Sequence, residues 1–390
     1  MRILHCCLAA VYVDGFGYQE NILPRVHKYQ GHDVMILAST EVLKPGVGHI
    51  YTKPGEYHNE DGISVKRVPY IRGIPINIAA KLRIYKGVLP TIEAFRPDII
   101  FMHDAQTAAV TDVVKYLKIH QDCKLYIDSH TDFVNSAKSW VSKNILHGIL
   151  YKYYVKKTIP FARKYYGTLP ARVAFYRDFY GTPSDKTEYL PLGVDDVSTP
   201  MAGRIDIRKR MREQLGIKEN DFVIVSGGKL ESRKNTTILM RAFNILTKRV
   251  NNIKLLLYGS VSPDILDDFN QLKESNDSII HIGWVPAKET FKYFFASDLA
   301  CFPGTHSTLW EEAVGYGLPS VFKRWEGITQ IDLNGNCVLL DEPITDVALS
   351  DILLSIVSDT ERFDKMKEVA RTKGMEKFSY SRIAKYSIEQ

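Results

Sequence analysis

The stretch "VSGGKLESRKNTTILMRAF", Val225–Phe243, joins a short apolar run to a helical pattern through two glycines and three cations. A run that stops at Gly227-Gly228 and restarts as "TTILMRAFNIL" is one strand-helix unit of a parallel sheet covered by helices. Lys229, Arg233 and Lys234 fall in the turn between them, beside a helix N-terminus. Two or three spaced cations at that place suit a diphosphate, and a solvated surface turn is the plainer alternative.

Outward from this unit the same rhythm repeats. On the C-terminal side "IKLLLYG", "SIIHIGW", "LACFPG", "PSVFKR" and "NCVLLD" read as strands. On the N-terminal side "RILHCCL", "DVMILAS", "DIIFMHD" and "KLYIDSH" do, followed by "YYGTLP" and "TEYLPL". Near-continuous apolar runs suit strands buried on both faces. At 390 residues the chain is long enough for two domains of about 150 to 200 residues. The expected fold is α/β, two tandem doubly wound domains with parallel sheets, facing a central cleft. Gly193, Pro200 and Gly203 mark the break, giving a first domain over 1–197, rejoined by a C-terminal helix over about 376–390, and a second over 198–375.

Composition narrows the function classes. No run of about 18 apolar residues is present, so neither a membrane span nor a secretory leader is read, and the cytoplasm is the expected compartment. Cys6, Cys7, Cys123, Cys301 and Cys337 have no CxxC spacing and read as reduced, buried thiols. The net charge of +6 lies entirely in residues 1–197, so the first half faces something anionic. It contains two tracts without acids. Gly62–Ile92 holds Lys66, Arg67, Arg72, Lys81, Arg83 and Lys86, with Ile78, Leu82, Tyr85 and Leu89 on one expected helical face. Phe133–Arg177 interleaves basic residues with Trp140, Tyr151, Tyr153, Tyr154, Tyr165 and Tyr166. Cations among aromatics suit an anionic membrane surface, and a solvated basic face is the alternative. No nucleic-acid reader motif accompanies them.

Three further stretches carry candidate chemistry. Asp14, Gly15 and Gly17, in "DGFGYQE", follow the first strand and precede a helix from about Gln19, a place where a phosphate or sugar could approach the backbone, although any such turn needs glycine. "FPGTHSTLWEEAVGYGLPSV" offers His306, Ser307 and Thr308 at a helix start, then Glu311 and Glu312, which point about 100° apart. One carboxylate there could hold both hydroxyls of a ribose, while a plainly capped helix would look the same. Asp128, His130 and Asp132, with Asp104 on the preceding strand, form a polar cluster where such sheets put their chemistry. A structural histidine is an equal reading of His130.

Taken in order, "DGFGYQE", "GHDV", "RPDIIFMHD", "SHTDF", "YLPLGVD", "GGKLESRKN", "HIGWVPAKE", "ASDLACFPG" and "EEAVGYGLPSV" resemble the GT-B-fold glycosyltransferases, specifically the large retaining family four that builds bacterial surface polysaccharides. The resemblance implies transfer of a sugar from a nucleotide-diphosphate donor to a saccharide or lipid-linked acceptor. It gives Lys229 and Lys234 to the donor diphosphate, Glu312 to the ribose, Gly283 to the edge of the base, His130 to the reacting sugar, and Gly15 and Gly17 to the donor and acceptor cleft. Asp14, Asp104, Asp128 and Asp132 are the acceptor-side candidates. No DxD pair lies near the donor residues, so no metal cofactor is expected. The family's Glu-x7-Glu pattern is broken, because the position eight before Glu312 is Gly304. That departure leaves the sugar, and retention against inversion, open. It also keeps a non-catalytic transferase-like subunit, or a nucleotide-sugar epimerase, as alternatives.

Overall fold

The computed structural model describes residues 1–44, 47–133, 136–137 and 139–389. Lys138, one of the cations counted in the second basic tract, lies outside them. The chain divides into two compact units, 1–191 with 383–390, and 192–382.

The first unit is built on an eight-stranded sheet. Its strands are β1 (Arg2–Cys7), β2 (Asp33–Ser39), β5 (Gly55–His58), β6 (Ser64–Val68), β7 (Ile99–His103), β8 (Lys124–Ser129), β9 (Ala162–Gly167) and β10 (Thr187–Tyr189), in the order β10-β9-β8-β7-β1-β2-β6-β5. All neighbours are parallel except β5 with β6. A separate hairpin pairs β3 (Glu41–Lys44) with β4 (Gly48–Tyr51). The four elements from β3 to β6 are absent from the sequence reading, because "EVLK", "GHIY", "GEYH" and "SVKRV" are too short to show a period. β1 is central, with β2 on one side and β7 on the other, so strand order reverses between β1 and β7. The loops after those two strands, carrying Asp14 and Asp104, lie where ligands enter such sheets.

The second unit repeats the plan with six parallel strands. They are β11 (Phe222–Gly227), β12 (Ile253–Tyr258), β13 (Ile279–His281), β14 (Leu299–Phe302), β15 (Ser320–Lys323) and β16 (Cys337–Leu340), ordered β13-β12-β11-β14-β15-β16. Every strand drawn from the sequence in this half is present. Alternation splits their side chains between two apolar layers: Ile224, Leu255, Leu257 and Cys301 on one face, Val225, Leu256, Ala300 and Phe302 on the other. A sheet buried on both faces explains why its strands read as unbroken apolar runs. Here the order reverses between β11 and β14, which positions the loops Gly228–Asn235 and Pro303–Thr308 as the ligand-side pair. Cys6, Cys7 and Cys301 are buried, Cys123 and Cys337 partly so, and all five are free thiols.

The division after Pro191 falls six residues before the expected 197, for a hydrogen-bonding reason. Val194 donates its N–H to Phe378 and accepts from Tyr380, so it lies alongside residues 378–380. Asp196 accepts from the hydroxyls of Ser379 and Ser381, both at 2.6 Å, and from the Ser381 N–H at 2.9 Å. The connecting segment is thereby part of the second unit. The C-terminal helix Tyr380–Glu389 is assigned to the first unit from Ile383 onward rather than from 376. There Ala384 and Ile388 accept from His27 and Tyr126 through their carbonyls.

Removing the Asp196 carboxylate strands two hydroxyls and an N–H. Asp196→Ala should lower unfolding stability by about 2 kcal/mol or more in urea denaturation. A loss below about 0.5 kcal/mol, the ordinary surface range, would contradict this account of the segment.

Candidate functional site

In the second unit the predicted donor residues converge. Gly228 ends the β11 run with φ +95°, and Gly259, after β12, has φ +121°. A Cβ on Gly259 would stand 1.7 Å from the Gly228 carbonyl oxygen, so glycine alone lets these strand ends touch. The Gly259 N–H in turn donates to Gly283 at 2.6 Å. Gly228, Gly259 and Gly283 thus form a side-by-side backbone floor at the carboxyl ends of β11, β12 and β13. A Cβ on Gly228 would meet Leu309, the first residue of the short helix Leu309–Gly315, at 3.1 Å. That contact ties the floor to the loop after β14.

Lys234 is locked to the same loop. Its ammonium donates to the carbonyls of Thr305 at 2.7 Å and His306 at 3.2 Å, and Thr305 donates its N–H to Arg233. Asn235, left-handed at φ 54°, donates to Pro303 through its amide and opens the helix Thr236–Leu246. Gly304 passes so near that a Cβ there would lie 2.3 Å from Lys234 backbone atoms. The glutamate that the resemblance leads one to expect at this position has no room for its first carbon. Burial, with Arg233 alongside, pushes the Lys234 ammonium down to about 8 against the pull of Glu231. Lys229 and Arg233 are exposed instead, and both lean on Glu231, at 3.3 and 2.9 Å. Glu231, which the sequence reading passed over, sets the spacing of the two exposed cations.

The adjacent glutamates divide as their helical spacing requires. Glu311 is fully buried and accepts from Gln330 at 2.7 Å. His306 Nε2 lies 3.0 Å from both Glu311 oxygens, so that nitrogen is turned inward. Glu312 points the other way and accepts from the Thr290 hydroxyl at 3.4 Å. Burial, reinforced by Glu311 and eased by Thr290, pushes its carboxyl up to about 8. Ser307 and Thr308 sit at the start of the helix, between Lys234's carbonyl partners and Glu312.

In the first unit three of the four expected acceptor-side carboxylates, Asp104, Asp128 and Asp132, are buried, whereas Asp14 is exposed. Asp128 is wholly buried, Asp104 and Asp132 nearly so. Asp104 adopts φ 68°, accepts from the hydroxyls of Tyr176 at 2.6 Å and Thr131 at 2.9 Å, and is raised by burial. Asp132 pairs with Arg172 at 3.2 Å. Burial opposes the charge on Asp128, yet His103 and His130 hold it well below the usual carboxylate range. His130 is partly exposed, with Nε2 3.8 Å from Asp128. Burial lowers its pKa, and Asp128 and Glu20 more than offset that. Donor atoms of His103, Asp128 and His130 lie within 4.8 Å of one another. Both ring nitrogens of His103 are already engaged, by Asp128 and by His5, so the trio reads as a hydrogen-bonded set.

Asp14 accepts from Tyr57 at 2.7 Å and lies 3.4 Å from the buried Arg67 guanidinium. Gly15 donates to Glu60 at 2.7 Å and faces open space. Gly17 continues the loop into the helix Gln19–Tyr29. A depression of about 500 Å³ opens beside Asp14, lined also by Val42, Leu43, Ile50 and Tyr57. Its hairpin wall was invisible in the sequence.

Residues 207–373, within the second unit, match the family model described as "Glycosyl transferases group 1". A D-inositol 3-phosphate glycosyltransferase of Paenarthrobacter aurescens is 26% identical over 231 residues, 56% of this chain and 55% of that protein. The chain therefore spans about half the length of that curated relative. An uncharacterised glycosyltransferase of Methanocaldococcus jannaschii is 22% identical over 355 residues, 85% of each chain. Among solved structures, a glycosyltransferase of Rickettsia africae superposes with TM-score 0.68 at 16% identity, covering 100% of this chain and 97% of that one. Anabaena Alr3699/HepE, solved with UDP, gives 0.66 at 16%, covering 99% and 98%. The fold of the chain is GT-B.

Gly304→Ala should lower unfolding stability by roughly 1 to 3 kcal/mol, the usual cost of overpacking. Retention of wild-type stability would show that the Lys234 and Gly304 strands are not held this closely.

Proposed function

We propose that the chain is a glycosyltransferase that takes a sugar from a nucleotide-diphosphate donor held by the second unit. The observation that carries this reading is that the loop of Lys229, Arg233 and Lys234 is held against the loop leading into the helix of Glu312, beside the glycine floor at the point where strand order reverses. Lys229 and Arg233 reach the diphosphate from solvent while Lys234 backs it, and Glu312 accepts from the ribose hydroxyls. In the transfer, the bond from the sugar's anomeric carbon to the diphosphate breaks, and the nucleotide leaves with the electron pair. The acceptor oxygen bonds to that carbon, and its proton passes to the departing phosphate. Fixed cations aimed at the leaving group supply the stabilisation, so we infer metal-independent turnover. An acceptor that gives its proton to the departing phosphate attacks from the face the phosphate leaves, which gives retention. A saccharide or lipid-linked acceptor, in surface polysaccharide synthesis, falls to the first unit, with the depression beside Asp14 and the partly exposed His130 as its contacts.

Nucleotide release from UDP-, GDP-, ADP- and CDP-sugars, with chelator present, tests the reading. One donor should turn over, faster with a lipid-linked acceptor, and its product should keep the anomeric configuration. Epimerised sugar without acceptor, or no turnover of any donor, would overturn it. Lys234→Met should weaken donor binding about 10- to 100-fold, the worth of a charge-assisted bond. In Glu312→Gln, which removes the other group titrating nearby, donor affinity should fall as pH rises through about 8 and Lys234 loses its proton. A flat profile would separate Lys234 from the phosphate.

The reading extends to a membrane surface for the first unit. Trp140 is 70% exposed and Ile149 68%, with Val141, Ile145 and Tyr153 also open, along the helical run Ser142–Tyr151 and Lys152–Thr158. The two acid-free tracts meet there: Tyr151 donates to the Lys81 carbonyl, and Arg83 lies over the Tyr151 ring. The apolar face of the first tract differs from the sequence expectation. Arg83, at φ 50°, ends the helix Ile76–Leu82, so Tyr85 and Leu89 pack inward while Ile71, Ile74, Ile76 and Ile78 stay exposed. Among the described residues no helix is long and apolar enough to cross a membrane. Anionic vesicles should sediment the chain and neutral vesicles should not, with Trp140→Ala plus Ile149→Ala weakening binding at least fivefold. Equal recovery with both vesicle types would sink the membrane reading.

A further inference from the structure

A row of imidazoles runs through the buried side of the first sheet. Parallel pairing brings His5 of β1, His103 of β7 and Asp128 of β8 together, and His27 is supplied by the helix Gln19–Tyr29. Asp128 Oδ2 lies 2.8 Å from His103 Nδ1, His103 Nε2 lies 3.0 Å from His5 Nδ1, and His5 Nε2 lies 3.0 Å from His27 Nδ1. His27 Nε2 then lies 2.9 Å from the carbonyl oxygen of Ala384. All three rings are fully buried.

Each of these four contacts requires one proton between its two atoms. Both ends of the row are acceptors, a carboxylate and a carbonyl. Three neutral imidazoles carry three N–H protons between them, one fewer than the contacts need. Ser387 does not supply the fourth, since its hydroxyl donates to the Ala384 carbonyl at 2.8 Å while standing 3.3 Å from His27 Nε2. We propose that His5, His27 and His103 share one proton beyond their neutral complement, making the row a buried monocation that keeps Asp128 ionised beneath His130.

Donors surround that carboxylate. Gln19 donates to Oδ2 at 3.1 Å, the Asp104 N–H to Oδ1 at 3.3 Å, and His130 stands 3.8 Å from Oδ2. Burial holds His5 well below its ordinary range and His27 down at about 3, which leaves the excess proton at the Asp128 end. The other titratable neighbours fit the same balance. His32 meets His27 edge to face, Glu389 acts on His32, and Cys7 on β1 is raised well up by burial and stays neutral. Glu20, on the helix of His27, raises the pKa of His130 and Arg172 lowers it. The row does not depend on the transferase reading. If that reading holds, the three histidines are positioning residues that act through Asp128 on His130.

The test is nitrogen-15 histidine NMR on the full chain between pH 7 and 9, above the ordinary histidine value of about 6.5. The expected result is one imidazolium equivalent among the three buried rings, weighted toward the Asp128 end of the row. In Asp128→Asn the amide supplies the fourth proton, so three neutral Nε2–H rings should replace it, all oriented toward Ala384. Three neutral rings in the wild type would overturn the proposal. So would the infrared carbonyl band of a protonated acid at Asp128. Should Asp128→Asn fail to fold, the wild-type spectrum decides alone.

Discussion

The backbones of Lys234 and Gly304 run so close that a single added carbon would stand 2.3 Å from its neighbour. Much of the second unit's site depends on that approach. It fixes the loop after β11 against the loop after β14, and it gives the Lys234 ammonium two carbonyls to hold. It also leaves Lys229 and Arg233 on the outer side, restrained by Glu231. A cation that is half-buried and carbonyl-bound costs little to reorganise when an anion arrives, which is the economy of a preorganised site. The two exposed cations provide reach, and the buried one provides position.

The first unit meets a different constraint. Three imidazoles and a carboxylate are taken out of water along one row, and buried polar groups are tolerated only where each is bonded and each charge balanced. The row meets that condition from Asp128 to the C-terminal helix, where His27 reaches the carbonyl of Ala384, 357 positions later in the chain. His130 follows β8 directly above this bonded row, while the hairpin β3–β4 lines the depression beside Asp14.

Which parts of this were legible in the sequence follows from the range of the forces involved. Buried parallel strands announce themselves, because both faces select apolar residues, and β1, β2, β7, β8 and all six strands of the second sheet could be drawn. The cation loop and the paired glutamates were visible as spacings. β3 to β6 were not, since strands of four or five residues with interspersed polar side chains are too short to establish a period. The histidine row was hidden for another reason. His5, His27 and His103 are 22 and 98 positions from one another's partners, and only strand order and side-chain parity bring them together. The burial of Asp104 and Asp128 was lost on the same ground. The glycine at 304 was noticed as an absence, and its cause, a backbone contact with Lys234, lies in tertiary structure.

The most direct measurement is a crystal structure of the chain with a nucleoside diphosphate. The account predicts both phosphates among Lys229, Arg233 and Lys234, with the ribose hydroxyls on Glu312. A nucleotide bound away from Lys234, for instance in the depression beside Asp14, would contradict it.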